Sequence, residues 1–143
     1  MSAGTLCSRV VALASPLESV YDAACRMLDQ NVRTLVVIDE DRRPIGLLTD
    51  RDIVLRCVAQ NRWAAYTALD EVMTTALRTV PESLPVDDAL RVMQNAGVRR
   101  LVVTGADGSP MGILGLDDVL ERLAQDTVTS GSLLHGEAAA IRA

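Results

Sequence analysis

The sequence is poor in aromatic residues and contains no lysine. Phenylalanine is absent, one tryptophan and two tyrosines occur among 143 residues, and all fourteen basic residues are arginine. Nearly half of the residues are apolar, which predicts a buried core made of aliphatic side chains. Proteins that bind nucleic acid need clustered positive charge or aromatic rings that stack on bases. With a net charge of -5 and so few rings, this chain is not expected to bind nucleic acid.

Cysteine and histidine are also scarce. The three cysteines form no Cys-x-x-Cys pair and their number is odd, so we expect reduced thiols rather than a disulfide framework. The only histidine, His135, offers little material for a metal site or a catalytic dyad. No apolar run is long enough to cross a membrane, and the first residues lack the apolar stretch of a signal peptide. We expect a cytoplasmic protein without a membrane segment or a metal.

The chain contains an internal repeat, because a shift of 66 residues aligns its two halves without a gap. The matching residues keep their order in both halves. The pairs are Val20, Asp22, Ala23, Met27, Val32, Arg33, Leu35, Val36, Val37, Asp41, Pro44, Gly46, Leu48, Asp52 and Arg56 with Val86, Asp88, Ala89, Met93, Val98, Arg99, Leu101, Val102, Val103, Asp107, Pro110, Gly112, Leu114, Asp118 and Arg122.

Each copy predicts the same elements. Helical spacing of apolar residues, short β-branched runs and turns that end in proline predict a helix, a hairpin and a second helix. The predicted ranges are helices over 18–30 and 84–96, strands over 35–38 and 101–103, returning strands over 45–49 and 111–115, and helices over about 51–60 and 117–125. The fold class is therefore α+β, with two βαββα repeats about a pseudo-twofold axis, sheets together and helices outside.

The predicted organisation has four parts. They are a first repeat over 1–62, a connecting segment over 63–71, a second repeat over 72–125, and a partly disordered tail over 126–143. One copy alone would leave a face of its sheet uncovered, so the copies are expected to lie against each other. The cleft between them is the expected functional site.

The residues that suggest chemistry form the motif Gly-Leu-Leu-Thr-Asp-Arg-Asp at 46–52. Gly46 permits a close backbone approach, and Thr49 offers a hydroxyl at a helix start, where an anion is favoured. Asp52 could accept both hydroxyls of a ribose, and Arg51 could bind phosphate. The alternative is that Thr49 and Asp50 only cap the helix and that Asp52 only complements its dipole. Recurrence of the pattern at 112–118 favours the functional interpretation.

Over roughly residues 5–125 the chain resembles a tandem pair of cystathionine-β-synthase (CBS) domains, the Bateman module. The resemblance implies two clefts between the repeats that bind AMP, ADP or ATP, or less often S-adenosylmethionine, and pairing of modules into a flat dimer. It places Thr49 near phosphate, and Asp52 and Asp118 at the ribose. Gly115 departs from the pattern, because it stands where the second motif should carry a hydroxyl.

The same resemblance implies further binding residues. Arg33, Arg99 and Arg100 match positions that reach phosphate across the cleft, although Arg33 could equally be a solvated strand-end arginine. The segments that flank adenine correspond to Leu13, Ala14, Thr79 and Val80. Without aromatic rings, recognition of the base would depend on backbone hydrogen bonds and aliphatic contacts.

The sequence thus predicts a regulatory sensor of adenine nucleotides that has no catalytic activity. No residues remain for an effector domain, so we expect the protein to act in trans on a partner protein and to form a homodimer. The dimer is expected because the helices over 18–30 and 84–96 carry alanine and methionine stripes that one copy would leave exposed. The alternatives are an enzyme, a ligand-free dimerisation module, a protein-recruiting module, and a module that binds NAD. Cys25 and Cys57 lie on apolar helical faces, which favours inert thiols over nucleophiles.

Overall fold

The two copies of the repeat form two three-stranded sheets, in a computed structural model that describes residues 1–9 and 11–134. In each sheet a short first strand pairs in parallel with the middle strand, and the middle strand pairs in antiparallel with the third. The strands are β1 (Ala12–Ala14), β2 (Thr34–Ile38), β3 (Pro44–Thr49), β4 (Thr79–Pro81), β5 (Arg100–Thr104) and β6 (Pro110–Gly115). The predicted α+β repeat is confirmed.

The helices that connect the first two strands of each sheet match in length but differ in their caps. Helix α2 (Val20–Gln30) follows Ser19, whose hydroxyl accepts the Asp22 N–H at 3.1 Å, and it ends at left-handed Asn31. Helix α4 (Val86–Ala96) follows Pro85 and ends at left-handed Gly97. Each begins two residues after its predicted start and ends where the periodicity predicts.

The helices after the hairpins differ more from expectation. Helix α3 is one α-helical turn (Asp50–Asp52) that continues as a π-helix (Ile53–Val58), in which the Ala59 N–H donates to Val54 O at 2.8 Å. Helix α5 (Leu116–Leu134) continues nine residues beyond its predicted end at 125. No proline lies within this helix, and its one glycine, Gly131, lowers helix propensity without forcing an end. The rest of the predicted tail, with His135, lies outside the described residues.

The segments that precede the two sheets cross between the copies. Helix α1 (Ala3–Leu6), which the sequence did not predict, lies on the second copy, where the Ala3 N–H donates to Leu84 O at 2.7 Å. The connecting segment lies on the first copy, where the Leu69 N–H donates to Glu18 O at 3.0 Å. Residues 2–8, which the predicted boundaries place in the first repeat, therefore contact the second sheet.

Each copy has its own aliphatic core, and a smaller cluster joins the two. The central strands supply fully buried side chains in both copies, and Val36, Leu47 and Val102 meet between the sheets. Met27 and Met93 are 8% and 3% exposed and lie in the cores of their own copies. The premise of the predicted dimer is therefore wrong, because the alanine and methionine stripes are already covered within one chain.

A group of exposed apolar side chains lies on α3 and the segment that follows it. Val54, Leu55 and Val58 of α3 are each about half exposed or more. The rings of Trp63 and Tyr66 lie 6.0 Å apart and are also exposed. We call these five residues the α3 patch. Of the helices that the structure describes, none is both long and apolar enough to span a membrane.

Candidate functional site

A cleft of about 260 Å³ lies between the two copies, where α3 begins. We call it the first cleft. It brings together five of the predicted site residues, Thr49, Arg51, Asp52, Arg99 and Arg100. Residues from both copies form it, because Thr49 ends β3 whereas Arg100 begins β5. The complete lining is Leu47, Thr49, Arg51, Asp52, Thr74, Ala76, Leu77, Val98, Arg99 and Arg100.

Thr49 and Asp52 form a reciprocal cap on the first turn of α3. The Thr49 hydroxyl accepts the Asp52 N–H at 3.1 Å, and Asp52 Oδ2 accepts the Thr49 N–H at 3.0 Å. The helix-capping role of Thr49 is therefore real, whereas Asp50 is not the cap. Capping leaves the Thr49 hydroxyl proton free to be donated, and each oxygen of Asp52 has more than one lone pair. The same two side chains can thus cap the helix and contact a ligand.

Asp52 is only 8% exposed and has donors on both carboxylate oxygens. The Thr74 hydroxyl lies 3.2 and 3.3 Å from Oδ1 and Oδ2. A guanidinium is also near, since Arg56 Nε lies 4.0 Å from Oδ1. These contacts hold the carboxylate in one orientation at the edge of the cleft, as recognition of a diol requires.

Gly46 is needed for the close approach of Met73 to β3. A Cβ at this position would lie 2.6 Å from Met73 Sδ, so any larger side chain would push Met73 away. The equivalent Gly112 is in the same situation. A Cβ at Gly112 would lie 2.5 Å from Cys7 Sγ and 2.7 Å from Ser8 O. The absence of a side chain at Gly46 and Gly112 therefore lets Met73 and residues 7–8 pack closely against the third strand of each sheet.

The arginines make the first cleft positive. Arg99 Nη2 lies 3.7 Å from Asp117 Oδ1, and both side chains are largely exposed. Within residues 1–9 and 11–134, neither Arg51 nor Arg100 has an ion-pair partner. Three guanidinium groups against one carboxylate suit an anion, and arginine favours phosphate because its donors form a planar fork.

Arg33 does not line the first cleft. Its Nε donates to Asp50 Oδ2 at 2.9 Å, and its side chain is 87% exposed. This hydrogen bond lowers the pKa of Asp50 below its ordinary value. The geometry agrees with the alternative of a solvated strand-end arginine, engaged by its own copy.

The four residues predicted to flank adenine also lie outside the first cleft. Leu13 and Ala14 line a separate cavity of about 480 Å³ with Ile38 and the acidic side chain of Glu18. Val80 is buried in the core of the second copy, and Thr79 is exposed on β4.

The apolar wall of the cleft is instead Leu47, Ala76, Leu77 and Val98, which the sequence did not single out. Three of these residues precede β4 or β5, and the packing of the two copies brings them beside the motif. In the sequence, the feature that could have identified Ala76, Leu77 and Val98 as cleft residues is their position just before β4 and β5. The family resemblance had instead placed the base contacts at Leu13, Ala14, Thr79 and Val80.

The second motif is built differently. Asp118 is exposed and accepts only the Gly115 N–H, at 3.2 Å, among the contacts of the described residues. Gly115 supplies no hydroxyl, and the position of Arg51 is taken by Asp117. Asp118 lies in an open depression of about 290 Å³ with Ser8, Glu121 and Arg122. The repeat therefore carries one complete motif and one reduced motif.

The thiols and potential metal ligands do not form a centre in the described part of the chain. Among those residues, no three histidine, cysteine, aspartate or glutamate side chains are placed to hold a metal ion. Cys7 and Cys57 are buried and Cys25 is half-buried, and all three are free thiols. Burial raises the pKa of the Cys7 thiol, which disfavours the reactive thiolate.

Comparison with known proteins agrees with this architecture. The family model of the CBS domain matches residues 3–58 and again residues 69–125. An uncharacterised protein of Methanopyrus kandleri is 30% identical over 121 residues, which are 85% of this chain and 62% of that protein. The chain belongs to the CBS domain family and contains a tandem pair of these domains. It spans less than two thirds of the length of that relative.

Two solved structures show the same fold. An uncharacterised conserved protein of Pyrococcus horikoshii is 26% identical, with a TM-score of 0.71 over 85% of this chain and 90% of its own. The CBS domain pair of protein MJ0100 is 24% identical, with a TM-score of 0.71 over 86% of this chain and 99% of its own. The latter was solved in complex with 5′-methylthioadenosine and S-adenosyl-L-methionine.

Proposed function

We propose that this chain is a regulatory module that binds an adenine nucleotide, AMP, ADP or ATP, in the first cleft. One observation carries the proposal: a single cleft joins Thr49 and Asp52 of one copy with Arg99 and Arg100 of the other. The carboxylate suits the ribose diol, and the guanidinium groups suit the phosphates. The aliphatic wall of Leu47, Ala76, Leu77 and Val98 suits the flat face of a base.

The proposed module has a sensing role and no catalytic one. None of the side chains that line the first cleft is histidine or cysteine, and the Thr49 hydroxyl already caps a helix. Occupancy of the cleft acts on a separate effector protein. Such coupling requires the nucleotide to bind two arrangements of the module with different affinities.

Titration calorimetry with AMP, ADP and ATP tests the proposal, beside adenosine, GMP, NAD and S-adenosylmethionine. Methylthioadenosine and S-adenosylmethionine bind MJ0100, but at 24% identity that similarity concerns the fold alone. The expected order is a phosphorylated adenine ligand above adenosine, since phosphate engages the arginines. A nucleotide at about 100 times its Kd adds ~2.7 kcal/mol to the free energy of unfolding.

The matched variants replace one arginine by glutamine at a time. Arg100→Gln removes a charge from the first cleft, whereas Arg91→Gln removes one from α4, where Arg91 pairs with Asp88 at 3.2 Å. Only the first variant should weaken nucleotide binding, by roughly tenfold, since one charge-assisted contact is lost. The proposal fails if no adenine ligand binds at millimolar concentration, or if both variants bind equally well.

The second candidate function, a protein-interaction or dimerisation module, is favoured by the α3 patch. We propose that this patch, rather than the alanine and methionine stripes, meets a second copy of the chain to form a homodimer. Light scattering should give the mass of a dimer for the parent, and Val54→Asp should give that of a monomer. The control is Leu17→Asp, since Leu17 is 79% exposed but lies outside the patch. A monomeric parent with and without nucleotide contradicts this second proposal.

A further inference from the structure

Arg56 contacts two parts of the molecule that the first cleft uses. Its Nη1 donates to the carbonyl oxygens of Val72 at 3.2 Å and of Met73 at 3.0 Å. Its Nε faces Asp52 Oδ1 at 4.0 Å, four residues earlier on the same helix. A guanidinium carries its donors in fixed directions, so a single side chain can hold a carboxylate and two carbonyl groups at a fixed separation.

The segment that Arg56 holds, residues 72–74, ends at Thr74, which is a lining residue of the first cleft. Thr74 lines the cleft and donates its hydroxyl to Asp52. Its backbone pairs with Leu47 in both directions, at 2.8 and 2.9 Å. Met73 occupies the space that Gly46 leaves open. Asp52 is thus linked to this segment in two ways, directly by Thr74 and through Arg56.

The second copy has the arginine without the link. Arg122 corresponds to Arg56 in the repeat, but its Nε lies 3.5 Å from Asp126 Oδ1. The crossing segment is present there as well, since Ser8 pairs with Ile113 in both directions at 2.9 and 3.1 Å. The link made by Arg56 is therefore a property of the first copy and not a consequence of the fold.

We propose that Arg56 is a positioning residue that holds Asp52 and residues 72–74 together as one unit. A ribose hydroxyl that donates to Asp52 must share the carboxylate with Thr74. Arg56 is then the side chain that still joins Asp52 to the segment, beside the backbone pair of Thr74 with Leu47, so occupancy of Asp52 reaches the connection between the copies. This ligand-linked part rests on the proposed function, whereas the link itself does not.

Hydrogen exchange of the free protein tests the link without any ligand. In Arg56→Gln, protection of the paired amides of Leu47 and Thr74 should fall by roughly tenfold, about the effect of one lost hydrogen bond. The equivalent amides of Ser8 and Ile113 should keep their protection. Arg122→Gln is the control and should leave Leu47 and Thr74 as in the parent. No change in Arg56→Gln, or an equal loss at both pairs, overturns the positioning role.

The conservative variant separates charge from geometry. Arg56→Lys keeps the charge near Asp52 but replaces the fork by one ammonium group, so protection of Leu47 and Thr74 should fall to an intermediate value. Parental protection in Arg56→Lys would show that charge alone suffices, and would overturn the role given to the guanidinium.

Titration with AMP and ATP then tests the ligand-linked part. Arg56→Gln should bind the preferred nucleotide about fivefold to tenfold more weakly than the parent, and Arg122→Gln should bind it equally well. If Arg56→Gln binds like the parent, the positioning role is wrong although the proposed function stands. If the parent binds neither nucleotide, the proposed function and the ligand-linked part fail together, and the exchange result still decides the role of Arg56.

Discussion

The two copies share a backbone but not their polar side chains. Both sheets have the same strand order, and both have a register irregularity at the same point of the middle strand. At the start of the following helix, Thr49 and Arg51 of the first copy are replaced by Gly115 and Asp117. The apolar pattern that folds a CBS repeat is therefore independent of the polar residues at the start of the helix that follows its hairpin.

The motif aspartates show what the environment adds to an identical residue. Asp52 is buried and has two donors within 3.3 Å, the Thr49 N–H and the Thr74 hydroxyl, whereas Asp118 is exposed with one donor at 3.2 Å. A carboxylate held by hydrogen bonds meets a ligand without the entropy cost of being ordered. This preorganisation, together with the local excess of arginine, distinguishes the first cleft from the second motif.

The largest expected effect tests whether the motif glycines are equivalent. Gly112→Ala places a Cβ 2.7 Å from the backbone oxygen of Ser8, which cannot rotate away, and should cost about 2–3 kcal/mol of unfolding free energy. Gly46→Ala meets the flexible end of Met73 and should cost about 1 kcal/mol. Urea denaturation of both variants measures the difference. Equal losses of unfolding free energy would show that the backbone at Ser8 can move away from the new Cβ as easily as the side chain of Met73 can.

The second effect concerns the motif aspartates. Asp52→Ala should weaken nucleotide binding by roughly 1–3 kcal/mol, about tenfold to a hundredfold, and Asp118→Ala should have the smaller effect. Because Asp52 belongs to a buried cap, the variant should also lose about 1 kcal/mol of stability. Calorimetry and urea denaturation measure the two losses separately, and a greater affinity loss at Asp118 would place the working site in the other copy.

The third effect is the pH dependence that comes from the ion pair of Glu18 with Arg26, which has no equivalent in the second copy. Glu18 accepts from Arg26 at 2.6 Å, which lowers the pKa of Glu18 below its ordinary value of 4.5. The equivalent residues of the second copy are Leu84 and Val92, which pack against its core.

Because the pKa of Glu18 is lower in the folded state, the pair stabilises fully above pH 4.5 and loses this contribution as the pH falls through the folded pKa. Between pH 7 and pH 3 the parent should lose about 0.5–1 kcal/mol more stability than Glu18→Gln. Urea denaturation at both pH values measures this, with Glu40→Gln as the control for an exposed carboxylate. An identical pH dependence of parent and Glu18→Gln would show that the pair contributes nothing.

The smallest effect is expected from repairing the second motif. Gly115→Thr restores a hydroxyl at the position of Thr49, and a threonine cap exceeds glycine by a few tenths of a kcal/mol. The new Cβ would lie 3.1 Å from Asp118 Oδ2, a contact that a small rotation of the aspartate relieves. Thermal unfolding should show an increase of about 1 °C. Nucleotide affinity should stay unchanged, since Asp117 remains, and a second binding event in calorimetry would mean that the hydroxyl alone was missing.

Much of the fold could be predicted because the signals are local or repeated. The spacing of Val20, Ala23 and Met27 predicts a helix within one window of sequence, and its recurrence 66 residues later supports the prediction. Thr49 and Asp52 could be grouped for the same reason, since residues three apart at a helix start lie on one turn. Helix α1 could not be predicted, because its four residues give no periodicity, and the predicted helix over 51–60 gave no signal for the π-helical form of residues 53–58.

The sequence by itself determined the repeat, the α+β order of elements and the complete and reduced forms of the motif, because each depends on residues close together in the chain. Only the tertiary structure decided which copy each segment lies on. The presence of Leu77 and Val98 in the same cleft as the motif, and the position of Arg33 outside that cleft, depend on how the two sheets pack. That packing follows from apolar contacts such as Val36 with Val102, between residues 66 positions apart. Such contacts carry no directional signal in the sequence, since the hydrophobic effect fixes burial but not the partner.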